Sequence, residues 1–337
     1  MPAEWEPHEA TWISWPHPGC QSFPGSYERV LPAIVEMARR IAESEILRVN
    51  VNDVEEEARV RELLGPLPPG SVEFFHIPTN EPWCRDHGPI FLKREEEPQL
   101  AAVKFDFNAW GFKLSPFEED NLAGLRMAEA VGVPIFAKNQ FVLEGGSVDV
   151  NGAGVVMTTE SCLLHPNRNP RFGRGEIEKM VCECLGAEMV IWLGDGIEGD
   201  DTDGHVDDIA RFVNAETVVV AVEEDPDDAN YEPLQLNLAR LKGVSLPNGR
   251  PLKVIGLPMP LRLIREGQRM PASYANFYIT NRYVLMPAFH DPADAWAASV
   301  LKEVFPTREI VPIDCRELIW GLGAFHCLTQ QQPAVLR

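Results

Sequence analysis

The chain has 337 residues, 45% of them hydrophobic, and its 51 Asp and Glu outnumber its 30 Lys and Arg to give a formal net charge of −21. That length allows one large domain or two, with ample material for a core. The acidic balance excludes the basic footprint that nucleic-acid binding requires. No segment approaches the length of a membrane-spanning helix. The stretch Met1-Pro2-Ala3-Glu4-Trp5-Glu6 is acidic where a signal peptide would be basic and then apolar. Seven scattered cysteines, an odd number, point to free thiols in a reducing compartment, so the expected location is cytoplasmic. A negative field would steer a cation inward, although it also serves plain solubility.

Strand and helix patterns alternate along the chain. Residues 26–43 read as a helix: Ser26 stands at the capping position, and Val30, Ile34, Ala38 and Ile41 share a face. Leu47, Val49 and Val51 then alternate with polar residues as a strand, and Asp53 with Glu56 forms a capping-box pattern for a helix over 54–64. Strands are predicted at 72–77, 90–93 and 100–107, a helix at 118–131 and a strand at 133–136. Residues 148–150 and 155–158 flank Asn151-Gly152-Ala153-Gly154, a good hairpin turn. A helix at 175–185 precedes strands at 189–193, 217–222, 252–257, 274–280 and 283–286. A helix at 292–304 and a strand at 310–313 complete the series. This alternation defines an α/β class. No Gly/Ser linker interrupts it, which favours one domain, residues 1–337, built from repeated units.

The unusual residues lie between these elements. Trp83-Cys84-Arg85-Asp86-His87-Gly88-Pro89 is a turn in which Trp83 and Asp86 can face a cleft, or in which Arg85 simply pairs with Asp86. Leu143-Glu144-Gly145-Gly146-Ser147 sets a carboxylate beside backbone that a ligand can approach. The stretch 199–208 holds Asp200, Asp201, Asp203, His205, Asp207 and Asp208, and on an extended segment His205 and Asp207 would share a face. Such a cluster suits a cation or a metal, but its spacing matches no zinc or EF-hand pattern, so no metal is expected. Cys182 and Cys184, two apart on a predicted helix, do not face each other. Asn276 falls in the predicted strand 274–280. Near the end, Gly321-Leu322-Gly323-Ala324-Phe325-His326-Cys327 offers a sharp turn, close ligand approach and a candidate thiol nucleophile. A buried structural thiol is the alternative.

Taken in order, these motifs resemble those of the agmatine deiminase and bacterial peptidyl-arginine deiminase family, within the guanidino-group-modifying superfamily. The likeness is carried by His8-Glu9-Ala10-Thr11-Trp12, the Trp83–Pro89 turn, Glu144-Gly145-Gly146, Asp201–Asp207, Ala272–Phe277 and His326-Cys327-Leu328-Thr329-Gln330-Gln331. It runs nearly end to end. It implies a five-bladed pseudosymmetric α/β propeller of ββαβ modules around a central site. One departure stands beside the nucleophile: the family's usual Gly-Gly-Gly-Asn is replaced by Gly321-Leu322-Gly323-Ala324.

The resemblance also implies a chemistry. A guanidinium is planar and cationic, and its forked N–H groups match carboxylates. Asp86 and Asp207 would clamp it, Glu144 would add negative charge, and Trp83 would lie against the substrate. Cys327 would attack the guanidinium carbon, ammonia would leave, and water would release a ureido product. His205 would act first as acid and then as base, a contribution of roughly 10²–10⁴-fold. The implied substrate is agmatine, in putrescine biosynthesis, with Asp201 meeting its distal amine and Asn276 beside the thiol. Peptidyl-arginine or another small guanidine is the alternative. No metal or other cofactor is implied, nor a nucleic-acid or membrane partner, and a homo-oligomer is compatible with the sequence.

Overall fold

The computed structural model describes residues 1–335. Five of its sheets follow one plan: two antiparallel strands, then a helix, then a strand parallel to the second. The helix is a physical requirement, because parallel neighbours need a long crossover that covers the sheet face. The simplest case pairs Ile90–Lys93 with Leu100–Asp106, crosses over through Glu118–Ala130, and returns as Ile135–Val142. The same order recurs in Asp149–Val150, Val155–Thr159, the helix Arg174–Leu185 and Met189–Leu193. It recurs again in Ala210–Asn214, Thr217–Val222, Tyr231–Lys242 and Lys253–Pro258. Tyr278–Ile279, Tyr283–Ala288, Ala293–Val304 and Glu309–Asp314 form another.

The remaining unit joins the two ends of the chain. Thr329–Pro333 pairs antiparallel with His8–Ser14, and the helix Tyr27–Ala42 leads to Ile46–Val51, parallel to His8–Ser14. A further helix, Val54–Leu64, adds Val72–His76 as a fourth strand. The predicted apolar stripe is the buried face of Tyr27–Ala42, with Val30, Ile34, Ala38 and Ile41 all in the core. Asp53 caps Val54–Leu64 by accepting the Glu56 N–H at 2.8 Å, while the Glu56 carboxylate takes the N–H of Asn52 instead of that of Asp53.

Several expectations need correction. Ser26 precedes its helix, but its hydroxyl makes no capping bond. The strand expected over 274–280 is reduced to Tyr278–Ile279, so Asn276 lies in the loop ahead of it. Val206–Asp208 is a single 3₁₀ turn, so His205 and Asp207 do not share the face of a strand. Among the elements of five residues or more, four have no counterpart in the sequence patterns: His8–Ser14, Ala210–Asn214, Tyr231–Lys242 and Thr329–Pro333.

These missed strands matter because of what precedes each unit. Asp86 comes shortly before Ile90–Lys93, Glu144 before Asp149–Val150, His205 and Asp207 before Ala210–Asn214, Asn276 before Tyr278–Ile279, and Cys327 before Thr329–Pro333. Every unit therefore delivers one polar residue, or a pair, from the same topological position.

Candidate active site

Those five loops converge. Gly146 shows how closely: a Cβ there would stand 2.6 Å from His205 Nδ1, 2.9 Å from Asp86 Oδ1 and 3.0 Å from Asp207 Oδ2. Gly146 N–H donates to Asp86 Oδ1 at 2.9 Å, and Trp110 Nε1 donates to Asp86 Oδ2 at 3.0 Å. His205 Nδ1 lies 3.8 Å from Asp86 Oδ1 and 4.0 Å from Asp207 Oδ1. Asn276 Nδ2 is 3.1 Å from Cys327 Sγ, which is 3.6 Å from Asp207 Oδ2. The structure thus brings Cys327, His205, Asp86, Asp207 and Asn276 into one buried cluster at the base of a cleft.

The cleft encloses about 180 Å³, and its walls include Trp83, Trp110, Trp320, Leu114, Leu322, Ser22, Gln21 and Asp201. No Lys, Arg or His lines it among the described residues. Trp83 is held by its Nε1 bond to Ser22 Oγ at 2.8 Å. The two glycines before the nucleophile line the cleft themselves and also make room for that wall. A Cβ on Gly323 would stand 2.6 Å from the Trp83 ring, and one on Gly321 would meet Phe23. The left-handed residue of the turn is Leu322, with φ 68°, a conformation that costs a branched side chain strain.

Glu144 is completely buried, and its charge acts on His205 and Asp86. Its Oε1 accepts from Arg168 Nε at 2.6 Å. Asp201 lines the cleft, and burial with the neighbouring Asp200 charge raises its carboxyl to about pKa 6. Arg85 does not pair with Asp86. Its guanidinium meets Gln331 Oε1 at 2.6 Å and Glu4 Oε2 at 3.4 Å.

Glu4 belongs to a buried network that the sequence did not reveal. It takes Arg211 Nη2 at 2.8 Å and His326 Nε2 at 2.8 Å, and the other nitrogen of His326 meets Asp207 Oδ2 at 2.6 Å. Burial opposes ionisation of Glu4, but Arg211, His326 and Arg85 outweigh it and hold the carboxyl well below its ordinary range. Asp207 is likewise held low: burial is overcome by the His326 hydrogen bond and by the charges of His326, His205 and Arg211. Burial raises Asp86, helped by Asp207 and Glu144, with His205 opposing. Burial would lower His205, yet Asp86, Cys162 and Glu144 push it well above 6.5. Burial raises the Cys327 thiol far above 9.0, and Asp207, Asp208 and Asp86 add to the rise. Trp110, Glu4 and Arg168 had no local motif to mark them, and His326, though inside the motif before Cys327, has its partners Asp207 and Glu4 far away in sequence.

A buried thiol, an imidazole and paired carboxylates at the base of a cleft accompany likenesses that fix the class: a deiminase, a hydrolase acting on C–N bonds. The chain belongs to the Porphyromonas-type peptidyl-arginine deiminase family, whose model matches residues 1–333. Agmatine deiminase of Pseudomonas aeruginosa is 37% identical over 99% of this chain and 95% of its own length. Among solved structures, agmatine deiminase of Enterococcus faecalis superposes with a TM-score of 0.92 at 34% identity, covering 99% of this chain and 95% of that one. A cysteine-to-serine agmatine deiminase of C. jejuni with substrate bound gives 0.90 at 32% identity, over 100% and 96% of the two chains.

Proposed function

We propose that this chain hydrolyses agmatine to N-carbamoylputrescine and ammonia through a covalent amidino-cysteine, a step in putrescine biosynthesis. The observation that carries the choice of substrate is the cleft lining: Asp86, Asp201 and Cys327 face it, and among the described residues no cationic side chain does. A dication suits such walls, whereas the carboxylate of free arginine would find no partner there. The agmatine deiminases among the similar proteins point the same way.

Asp86 and Asp207 hold the guanidinium, which keeps its charge and so remains an electrophile. Cys327, which loses its proton to solvent as the cation binds, attacks the central carbon as the thiolate. His205, protonated in the resting site, gives its proton to the departing ammonia and then takes one from the incoming water. Asn276 donates towards the sulfur, Trp83 and Trp110 flank the substrate, and Asp201 receives the distal ammonium. Glu144, locked by Arg168, adds negative charge that favours the protonated form of His205. None of these steps calls on a metal or another cofactor.

The finer fold belongs to the same proposal. Five ββαβ units, each presenting its leading loop to one cleft, close into a five-bladed pseudosymmetric propeller forming a single domain. A reducing, cytoplasmic setting suits the free thiols.

Ammonia release from agmatine, free arginine and a blocked arginine peptide, with Cys327→Ala alongside, tests the reading. Turnover of agmatine alone, lost in the variant, supports it. Preferential turnover of the peptide would assign the chain to protein modification instead.

A further inference from the structure

One thiol that this chemistry leaves over, that of Cys162, stands beside two residues that it uses, His205 and Glu144. Cys162, on the short helix Glu160–Leu163, is completely buried. One ligand atom each from Cys162, His205 and Glu144 lie within 4.8 Å of one another. Thiol, imidazole and carboxylate together are the donors of zinc-type cations, whereas magnesium and calcium take oxygen ligands. The set also has unused capacity. Glu144 Oε2 and both ring nitrogens of His205 are buried, with no hydrogen-bond partner among the described residues. Polar atoms left unpaired in a dry interior are costly and call for an explanation.

The geometry needs little adjustment. Three atoms so spaced share a point roughly 3 Å from each, and bonds to zinc measure about 2.0–2.3 Å, so side-chain shifts of under about 1 Å bring all three to bonding distance and leave a fourth position open. Arg168 holds Oε1 of Glu144 and leaves Oε2 free. Charge is balanced as well: cysteine binds as the thiolate and histidine as the neutral imidazole, so a dication takes the place of two protons.

We propose that Cys162, His205 and Glu144 form an inhibitory site for a zinc-type divalent cation, which switches the enzyme off by withdrawing the His205 imidazole from proton transfer. The cation is a regulator and not a cofactor, since the reaction needs that imidazole free. The competing destination for such a cation is the Cys327 thiol beside Asp207, and the experiment must separate the two.

Cobalt(II) is titrated into reduced full-length protein, and the near-ultraviolet thiolate-to-cobalt absorption is recorded for wild type, Cys327→Ala and Cys162→Ser. The expected result is one equivalent bound, with the band present in the first two proteins and lost in Cys162→Ser. No band in wild type, or a band lost in Cys327→Ala and kept in Cys162→Ser, would overturn the proposal. Zinc should also inhibit ammonia release reversibly by chelator, and Cys162→Ser should need roughly tenfold more zinc or above for the same inhibition. Unchanged zinc sensitivity in that variant counts against the site. Should Cys162→Ser not fold, zinc-edge X-ray absorption of zinc-loaded Cys327→Ala decides: one sulfur neighbour among nitrogen and oxygen supports the site, and none refutes it. The binding measurements do not depend on which guanidine is the substrate, so failure of that assignment is distinguishable.

Discussion

At Gly146 the space between His205, Asp86 and Asp207 is too small for even one methyl group. Gly146→Ala should therefore leave a folded protein whose kcat/KM falls by about 10²-fold, because displacement of a reacting group by around 1 Å costs that much. Circular dichroism with steady-state kinetics checks it. The nucleophile offers a second test. Burial and three carboxylates raise the Cys327 thiol, so the free enzyme holds little thiolate at neutral pH. A bound cation reverses the sign of the local charge and should lower that ionisation. An unreactive guanidine should thus shift the thiolate absorbance of wild type minus Cys327→Ala to lower pH, and an unmoved curve would contradict the idea. Residues of this kind were legible in the sequence to the extent that chemistry is local. Cys327, Asp86, His205 and Asp207 sit in short polar motifs, whereas Glu4, His326 and Arg211 are linked only through the folded chain.

Among the elements, the acidic segment 199–208 is pinned. Asp200 accepts the N–H groups of Thr202 and Gly204 at 2.7 and 2.9 Å, and Asp203 pairs with Lys113 at 2.8 Å and Arg168 at 2.6 Å. Burial would raise Asp203, but Asn167, Lys113 and Arg168 lower its carboxyl to about 2, below an unfolded value of 3.8. A carboxyl depressed by folding stabilises the fold above the unfolded pKa and loses that effect as the pH falls through the folded one. Asp203→Asn should therefore cost about 1 kcal/mol at pH 7, and the gap in melting temperature to wild type should narrow as the pH falls below 3.8 towards 2. A constant gap across that range would remove the carboxylate from the argument. The elements also show why part of the fold was hidden. His8–Ser14 lies between two strands and is buried almost throughout, so it has no alternation to read. Thr329–Pro333 reads as a polar tail, yet its glutamines bond inward: Gln331 to Arg85, Gln332 to Trp12 and Arg48, and Gln330 to the Pro89 carbonyl. The helix Tyr231–Lys242 was legible through Leu234, Leu238 and Leu241 and was passed over.

At the scale of the whole molecule, a net charge of −21 surrounds a cleft built for a cation. Attraction of this kind acts on encounter and is screened over about 10 Å at 0.1 M salt. With agmatine, kcat/KM should fall as salt rises while kcat stays nearly constant, and stopped assays across ionic strength will show it. A kcat that fell in parallel would place the salt effect in the chemistry instead. The alternation of strands and helices makes the α/β class legible, but not the repeat, because the first strands of two units, Ala210–Asn214 and Thr329–Pro333, carry no strand pattern and that of a third, Tyr278–Ile279, starts later than its pattern suggests. The central claim is that Cys327 takes the guanidinium carbon while Asp86, Asp207 and His205 surround it. Rapid acid quench during agmatine turnover, followed by intact-mass and peptide analysis, tests this most directly. The account predicts an adduct with the mass of agmatine less ammonia, confined to the peptide carrying Cys327 and absent from Cys327→Ala. Undiminished turnover by Cys327→Ala, or an adduct on another residue, would contradict it.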